Sequence, residues 1–238
     1  VCPFFFFVFL LLWLADDRRK VSALGHIFFG THPEVRIVKG RWHPASLSHL
    51  ALLCSDNVVR LYNVLARDLE DPEQLLRVSL ESLRVVSFDF GASLDWTHFT
   101  VFYLLSDGNV YAQCPVIPMG CPVPEELLTT LELRQKQEIE RLDAKLARLN
   151  GLKASGMDVA RRIRRTVKRA AGSAKALKWV ELVRAGKVGQ LMAQSDLPVL
   201  QGPLTVSLAA EADAVPEDER VCDLLVAATQ FPVLVTVF

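Results

Sequence analysis

Two histidine pairs open the search for chemistry: His26 with His32, and His43 with His49, each six residues apart. Six is not a helical i,i+3 or i,i+4 step, and no Cys-x-x-Cys stands nearby to complete a ligand set. Neither pair reads as a metal site; both read as structural or surface histidines. The five cysteines, Cys2, Cys54, Cys114, Cys121 and Cys222, are odd in number and scattered. Cys54, Cys114 and Cys222 sit inside apolar runs, where cysteine acts as a small hydrophobe, so a disulfide framework is not expected. Asp89 and Asp95 flank FDFGASLDW and have the composition of an acid–base pair. Alternation, however, sets Asp89 on the face opposite Phe88 and Phe90. No G-x-S-x-G, Walker A, G-x-G-x-x-G or H-E-x-x-H occurs. No catalytic residue, metal ligand or cofactor site is assigned, and the expected protein is not an enzyme.

One cluster keeps a binding reading. Arg161, Arg162, Arg164, Arg165, Lys168 and Arg169 crowd a helical segment, RRIRRTVKR. Ten basic residues and two acids, Asp158 and Glu181, lie between 158 and 187, whereas 188–238 holds seven acids and one base, Arg220. The total is neutral, 27 basic against 27 acidic residues, so net charge points to no nucleic-acid or membrane partner. The segregation fits internal neutralisation as well as a partner surface. A basic helix can track phosphates, but no aromatic residue lies in this one for base stacking.

These residues are positioned by two kinds of element. From 20 to 120 the chain reads as strands: VRIV (35–38), HLALLC (49–54), VVRLYNV (58–64), RVVSFDF (84–90), FTVFYLL (99–105) and NVYAQCPVI (109–117). Ser55-Asp56-Asn57 and Ser106-Asp107-Gly108-Asn109 supply turn residues between apolar runs, so each stretch reads as a β-hairpin. Ser55 and Ser106 are 51 residues apart, close to the period of a propeller blade. After 120 the pattern turns helical. A first helix begins at Pro124 and closes at Asn150-Gly151, with Leu128, Leu131, Ile139, Leu142, Leu146 and Leu149 on one face. A second opens at Ser155, carries Val159, Ile163 and Val167 as its stripe, and ends at Gly172. A third spans about 173–185, and a short fourth precedes Pro198. Strands return after 198, around an acidic loop, EADAVPEDER (211–220).

The first fifteen residues, VCPFFFFVFLLLWLA, are short of the about 20 apolar residues that a membrane helix needs, and lack the basic flank of a signal peptide. They are expected to be a buried strand or mistranslated sequence. Beginning at Val1 and stopping inside FPVLVTVF, the sequence reads as a piece of a longer chain. The expected division is an apolar segment (1–20), β-propeller blades (21–121), a helical insertion (122–197) and return strands (198–238). The fold class is mainly β, a partial β-propeller with an α-helical insertion.

At RWHPASLSHLALLCSDNVVRLYNV the sequence resembles the nucleoporin 88 family of the cytoplasmic face of the nuclear pore. The resemblance rests on Trp42-His43-Pro44, His49-Leu50, Ser55-Asp56-Asn57, Arg60-Leu61-Tyr62-Asn63 and Pro72-Glu73-Gln74. It continues through Phe88-Asp89-Phe90-Gly91, Trp96, Phe99-Thr100-Val101-Phe102, Ser106-Asp107-Gly108, Tyr111 and Cys114-Pro115-Val116. LQGPL (200–204) looks like the return strand of plant-type members. The resemblance covers 36–120 closely and 198–238 loosely. It implies part of the amino-terminal β-propeller of a scaffold protein. Such a protein docks other nucleoporins at the nuclear pore complex, in support of mRNA export and nucleocytoplasmic protein transport. Direct nucleic-acid contact and integral membrane insertion are not expected from it. The basic helix 158–187 keeps one alternative open, an RNA-binding module.

Overall fold

A computed structural model describes residues 9–12, 20–80, 82–91, 93, 95–151, 157–193, 198–204, 223–227 and 233–237. The chain divides into two compact units, one of Val1–Ser93, Thr97–Pro118 and Pro198–Phe238, the other of Leu94–Trp96 and Met119–Leu197.

The first unit holds two four-stranded antiparallel sheets. In the first, β3 (Ile37–Trp42), β4 (His49–Cys54), β5 (Val58–Asn63) and β6 (Gln74–Arg77) pair in chain order. In the second, β7 (Val85–Phe90), β8 (Val101–Leu105), β9 (Val110–Cys114) and β10 (Val199–Gln201) do the same. The earlier β1 (Phe9–Leu12) and β2 (Lys20–Ala23) pair with each other, as do β11 (Asp223–Ala227) and β12 (Val233–Val237). A short helix, α1 (His26–Thr31), precedes the first sheet.

Strand alternation explains why the central strands are buried on both faces. In β4, Ala51 and Leu53 enter a cluster with Val59, Leu61 and Leu76 and, from the second sheet, Val85, Phe88, Phe90, Val101, Tyr103 and Leu105. The other β4 face, Leu50 and Leu52, packs with Leu24, Tyr62 and Val64. The same split recurs in β8, whose Phe102 and Leu104 join Val110 and Ala112 on the far face. Each such leucine or phenylalanine contributes about 1.5–3 kcal/mol by leaving water, which is what fixes the period-2 register. The two sheets thus meet face to face across one core, as propeller blades do.

The second unit is built on α2 (Glu125–Gly151) and α3 (Met157–Arg184), packed as a helix pair, with a short α4 (Val188–Met192) behind them. Glu125 and Glu126 stand in the first turn of α2, where acids complement the helix dipole. Leu127, Leu128, Leu131, Leu142 and Leu149 are its buried face. Ion pairs stitch the two helices: Arg169 to Glu138 at 2.8 Å, and Arg184 to Glu125 at 2.9 Å and to Glu132 at 2.7 Å. Those contacts run antiparallel along the pair. Trp96 meets Trp179 edge-on at 5.8 Å, and the Lys175 ammonium lies 5.6 Å from the Trp179 ring.

Several sequence expectations are corrected. The second and third helices are one, because α3 runs unbroken through Gly172 and Ser173. A helix-interior glycine costs about 1 kcal/mol against alanine, and burial of Thr166 on one side and of Val180 and Val183 on the other offsets it. Its stripe is shifted: Val167 is exposed (50 %) and Thr166 is buried (3 %). Thr166 tolerates burial because its hydroxyl donates to the Arg162 carbonyl at 2.8 Å. The strand expected at 35–38 begins at Ile37 and runs to Trp42, and the one expected from Phe99 starts at Val101 after a 3₁₀ turn, Trp96–Phe99. Strand β6 was not anticipated; PEQLLR lacks the β-branched residues that announce a strand. The Ser155 cap and the acidic loop 211–220 lie outside the described residues.

Candidate docking interface

The repeated Ser-Asp turns do the same physical work in both sheets. Arg36 N–H donates to Ser55 Oγ at 2.9 Å, while Ser55 N–H donates back to the Arg36 carbonyl at 2.8 Å. Arg84 and Ser106 repeat the exchange at 3.2 and 2.8 Å. Each serine therefore ties its hairpin turn to the entry of the first strand of its sheet. The third turn residue has positive φ in both, Asn57 at 61° and Gly108 at 79°. A register shift also recurs, between Ile37 and Lys39 and between Val85 and Ser87.

Polar side chains then join one sheet to the next. Asn57 Nδ2 donates to the Leu83 carbonyl at 3.0 Å, and its Oδ1 accepts from Val85 N–H at 2.9 Å. Lys39 Nζ donates to Ser87 Oγ at 2.9 Å, and Arg41 lies 3.5 Å from Asp89. Asp89 is thus held in a charge pair between sheets. Asp95 is paired separately, with Arg134 at 3.3 Å. Gln113 links Tyr103, whose hydroxyl donates to it at 2.6 Å, with the Arg77 carbonyl at 3.3 Å.

Both members of the His43–His49 pair are buried, at 1 % and 2 % exposure. Ala45 N–H donates to His43 Nδ1 at 3.1 Å, so the ring proton sits on Nε2, which donates to the Val116 carbonyl at 3.1 Å. Burial drives the His43 pKa down to about 3, and the ring is neutral at physiological pH. His49 stands in a chain the sequence reading missed: Ser46 Oγ to His49 Nδ1 at 2.7 Å, and His49 Nε2 to Glu73 Oε2 at 3.0 Å. Its composition is that of a nucleophile, base and acid, and the Ser-x-x-His spacing was its only signal. Here it acts as a clasp. Ser46 also bonds Ser48, the imidazole is sealed from solvent, and the chain fastens the start of β4 to the residue before β6. Arg60 is locked similarly: it pairs twice with Asp56, at 3.0 and 2.6 Å, beneath the Phe28 ring at 4.4 Å.

The six basic residues assigned from sequence fall on α3 and divide into two sets. Arg162 pairs with Asp158 at 3.0 Å and Arg169 with Glu138 at 2.8 Å. Arg161, Arg164, Arg165 and Lys168 are exposed and take no acidic partner among the described residues. Elsewhere in the same unit, Val123, Val183, Val188, Cys121 and Arg184 line an open groove of about 300 Å³. Its one charge, Arg184, is already engaged by Glu125 and Glu132. No group of three or more potential metal ligands occurs among the described residues, and no described helix is long and apolar enough to cross a membrane.

Tandem four-stranded antiparallel sheets joined face to face are the arrangement of a β-propeller. Solved structures similar to this chain include two nucleoporin complexes. One is the Chaetomium thermophilum heterotrimer of Nup82 NTD, Nup159 TAIL and Nup145N APD, at TM-score 0.54 and 18 % identity, over 87 % of this chain and 44 % of that one. The other is the yeast Nup82–Nup159–Nup116 complex, at TM-score 0.56 and 15 % identity, over 91 % and 47 %. In sequence, 111 residues are 36 % identical to nuclear pore complex protein NUP88 of Arabidopsis thaliana, covering 43 % of this chain and 14 % of that protein. Nucleoporin nup82 of Schizosaccharomyces pombe is 28 % identical over 132 residues, or 50 % and 16 %. The chain thus spans about a seventh of the length of these relatives. Residues 18–101 match the family model Nup88, a nuclear pore component. Over that region the chain is similar to the nucleoporin 88 family.

Proposed function

We propose that this chain is a docking component of the nuclear pore complex, at the cytoplasmic face of the nuclear envelope. It binds other nucleoporins and through them supports mRNA export and nucleocytoplasmic protein transport. The observation that carries this reading is the coincidence of the family match, 18–101, with the first sheet and its junction to the second. Support also comes from the similar solved structures, which are heterotrimers of nucleoporins. The buried polar residues fit the same reading. His43, His49, Arg60 and Gln74 are each spent on fixing turns and loops to the strands of the first unit, Gln74 by donating to the Ile117 carbonyl at 2.7 Å. Rigid blades with loops at their ends suit docking.

Affinity capture from a nuclear-envelope extract, with this chain as bait at low and at raised salt, tests the proposal. Identified nucleoporins retained at raised salt are the expected result. Capture that contains no nucleoporin at either salt overturns it.

A further inference from the structure

We propose that the outward face of α3, formed by Arg161, Arg164, Arg165 and Lys168, docks the phosphodiester backbone of a nucleic acid without reading its bases. Composition alone spreads the basic residues around most of the helix, and the ion pairs sort them. At about 100° per residue these four side chains fall within an arc of about 100°, and they span about 10 Å of helix axis. Arg162 and Arg169, which are paired, lie to one side of that arc. Thr166, buried at 3 %, lies on the side turned away from it. All four are exposed and have no acidic partner among the described residues, so their cations form one strip on the helix.

The chemistry of the strip selects its partner. A protein interface draws its affinity from a few buried aromatic or aliphatic anchors. Within the arc of these four side chains there is none; the half-exposed Val167 lies beside it. Phosphate binding needs no such anchor, because it draws on counterion release and on the fork geometry by which arginine meets two phosphate oxygens. Three of the four residues are arginine. The lack of an aromatic ring in the strip removes base stacking, which makes the contact independent of sequence.

The full chain would be titrated by fluorescence anisotropy against an oligouridylate of about 20 nucleotides and against an RNA duplex of equal length. Four contacts on a single strand give a slope of log K against log salt of about −2.8. Affinity then falls about fifty-fold between about 50 and about 200 mM salt. The double variant Arg161→Gln/Arg165→Gln should keep its helical circular dichroism and show only about a sevenfold fall over the same range. Arg36→Gln/Arg67→Gln removes the same charge from exposed positions of the first unit and should leave the slope unchanged. Weaker binding of the single strand than of the duplex would assign the strip to duplex backbone, within the proposal. Equal slopes for the two double variants overturn it, as does competition by polyglutamate of matched charge as effective as RNA, which would give the strip to an acidic protein. Nucleoporin capture by the Arg161→Gln/Arg165→Gln variant is read separately, so this result and the docking result can fail independently.

Discussion

The two blades solve one architectural problem in opposite ways at equivalent positions. His43 and Gly91 each follow the first strand of their sheet, 48 residues apart. Each donates its backbone N–H to the residue that precedes the second strand or opens it, His43 to His49 at 2.9 Å and Gly91 to Thr100 at 3.1 Å. In the first blade that position carries an imidazole, buried beside Phe90 and bonded to the Val116 carbonyl. In the second there is no room for a side chain at all, because a Cβ at Gly91 would collide with the Thr97 carbonyl. The fourth strands differ as well. Blade 1 closes within ten residues, 64–73, between β5 and β6, while blade 2 waits from 115 to 198 for β10, with the helical unit in between. Yet Leu61 with Gln74 and Ala112 with Gln201 pair at positions 51 apart in β5 and β9. The difference teaches that strand register, set by alternating burial, survives a change of loop from ten residues to more than eighty. Loop-closure entropy grows only logarithmically with length, so a long insertion costs little.

The largest expected effect separates the blades by pH. His43 is neutral when folded, with its pKa lowered to about 3, and ordinary, near 6.5, when unfolded. Its contribution to stability is therefore complete above pH 6.5 and is lost as pH falls toward 3. At about 1.4 kcal/mol per pH unit, the loss reaches about 4 kcal/mol by pH 3.5. Urea unfolding followed by tryptophan fluorescence at a series of pH values should show that slope, and His43→Gln should flatten it between pH 6.5 and 4.5. Next in size is Gly91→Ala, expected to lower the unfolding free energy by about 3 kcal/mol because backbone, not a flexible side-chain tip, stands in the way. A loss below about 1 kcal/mol would mean that the 3₁₀ turn yields, and that the two positions differ less than they look.

The smallest effect tests the junction between sheets. Asn57→Gly keeps the positive φ but deletes both bonds to the second sheet, and should cost about 1–2 kcal/mol. Gly108→Asn, at the matching turn, has open space for a Cβ but keeps a φ of 79°, which asparagine tolerates at a small cost, and should lower stability by about 0.5–1 kcal/mol. Equal effects of the two substitutions would remove the asymmetry claimed for Asn57.

Much of this is legible in the sequence. The hairpins of 49–64 and 99–116 are legible in their apolar runs and Ser-Asp turns, and the 51-residue echo points to the blade. The likeness of Trp42-His43-Pro44 and Ser55-Asp56-Asn57 to the nucleoporin 88 family points to the same family whose model matches residues 18–101. Strand β6 was not legible, since its pairing is granted by β5 and not by its own propensity. Gly172 read as a helix stop because propensity is local, whereas packing on both sides carried the helix through it. The basic cluster was visible as six residues, but which of them are neutralised depends on Glu138, 31 residues from Arg169.

The sequence by itself determined the repeat, the two hairpins and the helical character of the interruption, because apolar runs between turn residues and a 3.6-residue apolar period are written in neighbouring residues. Only the tertiary structure decided that His43 is a buried neutral donor, that Ser46, His49 and Glu73 form a clasp, that β10 completes a sheet begun more than a hundred residues earlier, and which four cations on α3 have no acidic partner among the described residues. Each of these depends on what a side chain or strand edge meets across the fold, and desolvation, hydrogen bonding and charge pairing act through that distance in space, not along the chain.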